Sequence, residues 1–385
     1  WVKVTFPGGG KVTDLVAEGI VSGIGGIVIF IPQIAFLFLF ISILEESGYM
    51  SRVVFLMDRV MRRFGLSGKS LVPLISGTAC AIPAVMATRN IENWKERLIT
   101  ILVVPFTTCS ARLPVYLIII ALVIPEGSII GLSYQALTLM ALYLLGFGMA
   151  IFSAYILDRV LKTKHKTFFV VEMPNYKLPL LKNVIITVIE KTKTFVFEAG
   201  KIILAISIIL WVMASYGPGD KFNNAESYVK ETSTTQSTSE LNDQIAAFKL
   251  EHSYIGIVGK TIEPLIKPLG YDWKVGIGLV ASFAAREVFV GTLATIYSVG
   301  SAGEGENIET IKTKMANETY ADGTKVFTLA SGISLLLFYA FAMQCMSTLA
   351  IVRRETKTWK WPILQLIGMT AIAYICALIA FQFLK

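Results

Sequence analysis

The chain has 385 residues, of which 54% are hydrophobic and only 16% charged, and its mean hydropathy is +0.65. A water-soluble domain carries about a quarter charged residues, so the composition excludes a soluble globular protein and indicates a multi-pass membrane protein. The net charge of +8 sits in short loops between apolar runs, where it is an orientation signal and not a nucleic-acid surface.

In chain order, residues 1–19 read as an external N-terminal segment. Its first part, WVKVTFPGGGKVTD, is turn-like or β-like. Position 1 is Trp1 and not Met, so the expectation is a chain that begins mid-protein, after material cut away or left out. A first half follows at 20–157, then a basic cytoplasmic linker at 158–194. A second half occupies 195–385, with polar external insertions at 217–255 and 300–325. Runs such as Ile24–Leu44, Leu98–Ile124 and Phe327–Val352 approach or exceed the ~20 residues that cross a bilayer as a helix.

Basic loops stay in the cytoplasm. The basic stretches are Arg52–Arg97, Arg159–Lys193 and Arg353–Lys360. With these inside, residues 20–44 run inward, 98–124 outward and 129–157 back. Residues 195–216 then run outward, 327–352 return, and 361–384 leave again. Two apolar segments cannot be single passes. Leu71–Ala87 has basic loops on both sides, and Val275–Val299 has external loops on both sides. Both are interrupted, by Ser76-Gly77-Thr78 and Pro83 in one and by Ser282, Arg286, Glu287 and Gly291 in the other. Irregular backbone at membrane depth must be buried in protein or line a wet cavity, so both read as re-entrant hairpins.

The halves resemble each other. Met57–Val85 aligns with Ile262–Val290, bringing Gly65 onto Gly270 and Lys69 onto Lys274; VPFTTCSARLP (Val104–Pro114) resembles YAFAMQCMSTLA (Tyr339–Ala350). Each half reads as an arm helix, an amphipathic connector, a re-entrant hairpin, a broken helix carrying a cysteine, and a closing helix. The first arm runs inward and the second outward. The expected fold is an all-α integral membrane protein, an inverted repeat with a substrate site near the midplane.

Chemistry-bearing residues gather at the breaks. Cys80 lies in Ser76–Pro83, Cys109 with Ser110 and Arg112 in Pro105–Pro114, and Cys345 beside Met343, Gln344 and Met346. A single buried cysteine is ordinarily a small hydrophobe. Three at corresponding breaks suit a soft or borderline metal such as Fe(II) or Cu(I). Arg112, Arg286 and Glu287 are ionisable groups at depth, either part of a pathway or a structural ion pair. Cys376, on a plain helix, reads as packing. The histidines, His165 and His252, both lie in loops, which excludes a His-based metal site or a Ser-His-Asp triad in the membrane. Gly68-Lys69-Ser70 ends like a Walker A loop, but Arg63 stands where its first glycine is needed, so no nucleotide site follows.

Gly65–Tyr116, Ala281–Ser298 and Phe341–Pro362 resemble the Gate regions of the bacterial ferrous-iron transport protein B (FeoB) family, and the likeness covers nearly the whole chain. It makes the two halves Gate repeats. It implies Fe(II) carried into the cytoplasm across the bacterial inner membrane, with Fe(II) as transported ion and no permanently bound cofactor. Cys80, Cys109 and Cys345 fall at family positions proposed to contact iron; apart from the resemblance, Ser110, Met343 and Gln344 beside the same breaks are expected to supply further weak ligands. Members carry a cytoplasmic GTPase domain ahead of this region, so GTP, Mg(II) and any enzymatic activity are expected only there. Partners implied are the lipid bilayer, that GTPase domain, small accessory iron-transport proteins and a second copy of the chain; nucleic acid is not among them. Two alternatives stand beside this reading: a nucleoside or other organic-solute carrier with a Gate-type fold, and a non-transporting membrane sensor.

Overall fold

The computed structural model describes residues 15–125, 127–129, 131–161, 176–218, 222, 224–232, 238–283, 286, 288–296, 315, 325–343 and 345–385. Nearly all of the described chain is helical. The one described sheet pairs β1 (Ser128–Ile129) with β2 (Leu132–Ser133) in a tight hairpin, turned through Gly131 at φ 79°.

The first half opens with a π-helical turn, Leu15–Ile20, running into the arm helix α1 (Val21–Glu46). After Gly48 the chain bends by 84° into the connector α2 (Tyr49–Met61). Two short helices, α3 (Leu71–Gly77) and α4 (Ala81–Ala87), pack together as a hairpin. A broken helix comes next, α5 (Trp94–Val103) and α6 (Leu113–Val123), and then the closing helix α7 (Tyr134–Val160).

The second half follows the same order. Its arm is α8 (Leu181–Ser215), and after α9 (Ala225–Thr232) and α10 (Thr238–Glu251) comes the connector α11 (Tyr254–Ile266). The hairpin is α12 (Trp273–Ala281) with α13 (Val288–Ile296), the broken helix is α14 (Leu329–Phe341) with α15 (Met346–Thr356), and α16 (Lys360–Leu384) closes. Starts are fixed by side chains that accept orphan amides: Asn93 for α5, Ser133 for α7, Asp272 for α12 and Thr328 for α14.

Among the described residues, five helical stretches are long and apolar enough to cross a membrane: Trp94–Val123, Tyr134–Val160, Leu181–Ser215, Leu329–Thr356 and Lys360–Leu384. The bent pair Ile31–Glu46 and Tyr49–Phe64 qualifies as a sixth. The first hairpin is anchored at one end: Lys69, just before it, pairs with Glu92, just after it, at 3.2 Å. The pair brings the two ends of the hairpin together.

The arms α1 and α8 pack along each other. The return limb of the first hairpin, α4, packs on the second broken helix at α15, and the return limb of the second, α13, packs on the first broken helix at α6. Each hairpin's return limb thus packs on the broken helix of the other half.

Three features depart from the apolar pattern. The helix α8 starts at Leu181, well back in the basic linker. Lys182, Glu190, Lys191 and Lys193 lie on it, and such residues are good helix formers that hydropathy alone does not register. The polar insertion after Ser215 folds into α9 and α10, which bury Ala225, Val229 and Ile245. The helix of the first arm reaches back to Leu15, before residue 20. Most of 300–325 lies outside the described residues.

Candidate functional site: the paired helix breaks

The first break follows from proline chemistry. Pro105 has no amide to donate and Pro114 needs none at the first turn of a new helix. Between them the chain makes a 3-10 turn at Val104–Phe106, goes extended at Thr107 (ψ 135°) and Cys109 (ψ 160°), and turns again at Ser110–Arg112. The carbonyls left over are collected by Arg112. Its Nη2 donates to Pro105 O at 2.9 Å, and Nη1 donates to Phe106 O and Thr107 O at 3.4 and 3.5 Å. Arg112 is fully buried.

The second break lacks a proline but is treated alike. After Phe341 the backbone goes extended at Ala342 (ψ 140°) and at Cys345 (φ −138°, ψ 102°). Arg286, also buried, donates from Nη2 to Ala342 O at 3.1 Å and from Nη1 to Tyr339 O at 3.4 Å. Each guanidinium thus sits at the carbonyl end of a half-helix, where the macrodipole is negative. An unsatisfied cation at bilayer depth costs about 3 kcal/mol or more; these two meet carbonyl oxygens. Among the described residues neither forms an ion pair. Glu287, the expected third member, lies outside them.

The three cysteines occupy equivalent backbone settings. Cys80, Cys109 and Cys345 are each extended, half-buried, unbonded to another cysteine, and immediately before the first residue of a helix. Three contacts tie these segments to their surroundings. The rings of Phe106 and Phe341, each just before a break, meet edge to face at 6.5 Å. Ser110 Oγ donates to Ala79 O at 2.9 Å, tying the residue after Cys109 to the residue before Cys80. Phe283 O, in the second hairpin, accepts from Met346 N at 3.2 Å, next to Cys345. Met343 is fully buried in the main core, and Gln344 lies outside the described residues. No three side chains of His, Cys, Asp or Glu stand together as a closed metal cage among the described residues. Cys376 lines an apolar hollow with Leu145, Met149, Phe152 and Leu337.

The sequence reading missed Gln33. Its Nε2 donates to Ser110 Oγ, so one amide on α1 joins the arm to the first break. The signal available was Pro32-Gln33 in an otherwise apolar run. Gln365 was also missed; it is buried on α16 and donates to Ile101 O and Leu102 O of α5 at 3.2 and 3.0 Å. Gly68, in the Walker-like string, donates its amide to Asp58 Oδ1 at 2.8 Å, so that backbone already holds a carboxylate.

Paired broken helices around buried cations, with two hairpins packed against them and several spans long enough to cross a bilayer, define a multi-pass α-helical membrane protein. Residues 27–123 and 196–359 match the model of the Gate family, described as nucleoside recognition, and residues 139–191 match that of the ferrous iron transport protein B C terminus. The chain belongs to the Gate family and, within it, to the membrane part of the ferrous iron transport protein B family. A Leptospira interrogans protein named Fe(2+) transporter FeoB is 45% identical over 97% of this chain and 51% of its own length. A Staphylococcus aureus protein of the same name is 37% identical over 96% and 49%. A Porphyromonas gingivalis Fe(2+) transport protein A/Fe(2+) transporter FeoB fusion protein is 34% identical over 98% and 45%. The chain spans about half the length of these curated relatives. No solved structure matches it.

Proposed function

We propose that this chain forms the permeation part of an Fe(II) transporter of the bacterial cytoplasmic membrane and that the ion passes between the two helix breaks. Cys80, Cys109 and Cys345 supply soft ligands, and Ser110, Met343 and Gln344 supply weaker ones. The carrying observation is the meeting of the breaks through Phe106 and Phe341 and through Ser110 and Ala79. A permeation site must release what it binds, and an open, incomplete ligand set suits that better than a closed cage. The charge bias of the loops supports an inverted orientation of the halves, with access alternating around the breaks.

In this reading the chain catalyses no covalent chemistry. GTP and Mg(II) act on a GTPase domain of the longer protein, and that domain regulates passage. The Porphyromonas fusion, by its printed name, supports a small accessory transport protein as a partner. The Gate description favours one second reading, a nucleoside carrier. The experiment is uptake by full-length protein in proteoliposomes: Fe(II) should enter and uridine should neither enter nor compete. Uridine uptake without Fe(II) uptake would favour the carrier.

A further inference from the structure

On the face where the basic loops lie, three span ends converge: the start of α5 at Trp94, the end of α15 at Thr356 and the start of α16 at Lys360. They enclose a pocket of about 670 Å3, whose charged lining is Arg89, Arg97, Arg354, Glu355 and Lys357. Four cations face one carboxylate.

That carboxylate is already committed. The Glu355 side chain is 3% exposed; it accepts from Arg89 Nη2 at 2.5 Å and Nε at 3.0 Å, and from Arg97 Nη2 at 2.7 Å. It orients both guanidinium groups and neutralises only one charge. The Arg89 side chain stays 46% exposed. Arg97 Nε is buried with no acceptor among the described residues. Lys357 ends α15 in the left-handed conformation, at φ 55°, so its backbone is fixed at the mouth. Arg89, Arg97 and Lys357 alone outnumber the one lining carboxylate, and the Arg97 Nε donor has no acceptor among the described residues.

Depth identifies the anion. Trp94, lining the pocket, and Trp359, beside it, are exposed; Trp359 lies under the Arg353 guanidinium at 4.1 Å, and Trp361 lies beside Lys360. Exposed tryptophans at span ends mark the headgroup layer, and basic pockets between spans on this side bind anionic headgroups. We propose that this pocket binds the phosphate of an anionic phospholipid. Arg89 and Arg97 come from the first half, and Arg354, Glu355 and Lys357 from the second, so the lipid bridges the two halves at the cytoplasmic end of the broken helices.

The test uses full-length protein in detergent, with cardiolipin, phosphatidylglycerol, phosphatidylcholine and inorganic phosphate as separate probes. The readouts are retained lipid by native mass spectrometry and the shift in melting temperature. Cardiolipin or phosphatidylglycerol should be retained and should raise the melting temperature, and phosphatidylcholine should do neither. Lys357→Gln should weaken anionic-lipid binding about fivefold, and Arg354→Gln with Lys357→Gln about 25-fold, at about fivefold for each surface charge. Lys191→Gln with Lys193→Gln, on the exposed face of α8, should leave it unchanged. Equal retention of phosphatidylcholine, full retention by Lys357→Gln, or equal loss in the α8 control would overturn the site. Stabilisation by inorganic phosphate equal to that by lipid would overturn the lipid as its occupant.

Discussion

Gly65 and Gly270 hold the same left-handed backbone, φ 74° and 80°, at the same place in their two halves. Each ends the short 3-10 turn after a connector helix, and each faces the last turns of its own closing helix. A Cβ on Gly65 would lie 2.2 Å from Asp158 Cβ on α7, and one on Gly270 would lie 2.3 Å from the Phe381 ring on α16. Element order, a left-handed glycine and its contact with a closing helix thus occur in both halves.

Gly65→Ala should destabilise more than Gly270→Ala. Both incur the roughly 1–2 kcal/mol cost of a left-handed alanine. At Gly270 the obstacle is the far edge of a ring that can turn. At Gly65 it is the stem of Asp158, whose carboxylate pairs with Lys95 at 2.6 Å. Thermal unfolding of the two variants in one detergent should give the larger fall for Gly65→Ala.

Much of this fold is legible in the sequence because lipid and water sort side chains so sharply. Apolar runs mark the spans. The break in Leu71–Ala87 marks two short helices, and the Lys69–Glu92 pair joins the chain before them to the chain after them. What escapes is of two kinds. Charged helices such as the first turns of α8 carry no hydropathy contrast. Polar partners far apart in sequence carry no local signal: Gln33 meets Ser110 across 77 positions, and Arg89 meets Glu355 across 266. The cysteines at 80, 109 and 345 are visible as residues beside helix breakers, but the carbonyl partners of Arg112 and Arg286 become visible only once the backbone is drawn.

Glu355→Gln should loosen the halves. The amide keeps the shape but removes the charge shared by Arg89 and Arg97, worth about 1.5–3 kcal/mol for hydrogen bonds to a charged group. The partial exposure of Arg89 puts the expectation at the lower end. Contact with the carboxylate raises the Arg89 pKa further above its usual value, so the guanidinium does not titrate and adds no pH dependence. A lowered melting temperature, of similar size at pH 6 and pH 8, is the expected outcome.

Arg112→Met should be severe. It strands the Pro105, Phe106 and Thr107 carbonyls in a buried site, at about 1–3 kcal/mol for each unmet group. Arg112→Lys keeps the charge but not the fork, and should retain part of the stability. Folded yield and unfolding midpoint should rank wild type above Arg112→Lys above Arg112→Met.

The first hairpin should present both its ends to one compartment. Single cysteines at Arg63 and Glu92, in a background without native cysteines, should both react with a membrane-impermeant thiol reagent from the cytoplasmic side. Reaction from opposite sides would end the re-entrant reading.

The central claim is that Fe(II) passes the thiols at the helix breaks. Its most direct measurement is Fe(II) uptake by full-length protein in proteoliposomes, comparing Cys109→Ser with Cys376→Ser after unfolding curves show both to be folded. Serine changes size little and removes the soft ligand. Uptake should fall to a small fraction of wild type for Cys109→Ser and stay near wild type for Cys376→Ser. Wild-type uptake by Cys109→Ser, or equal loss in both variants, would contradict the account.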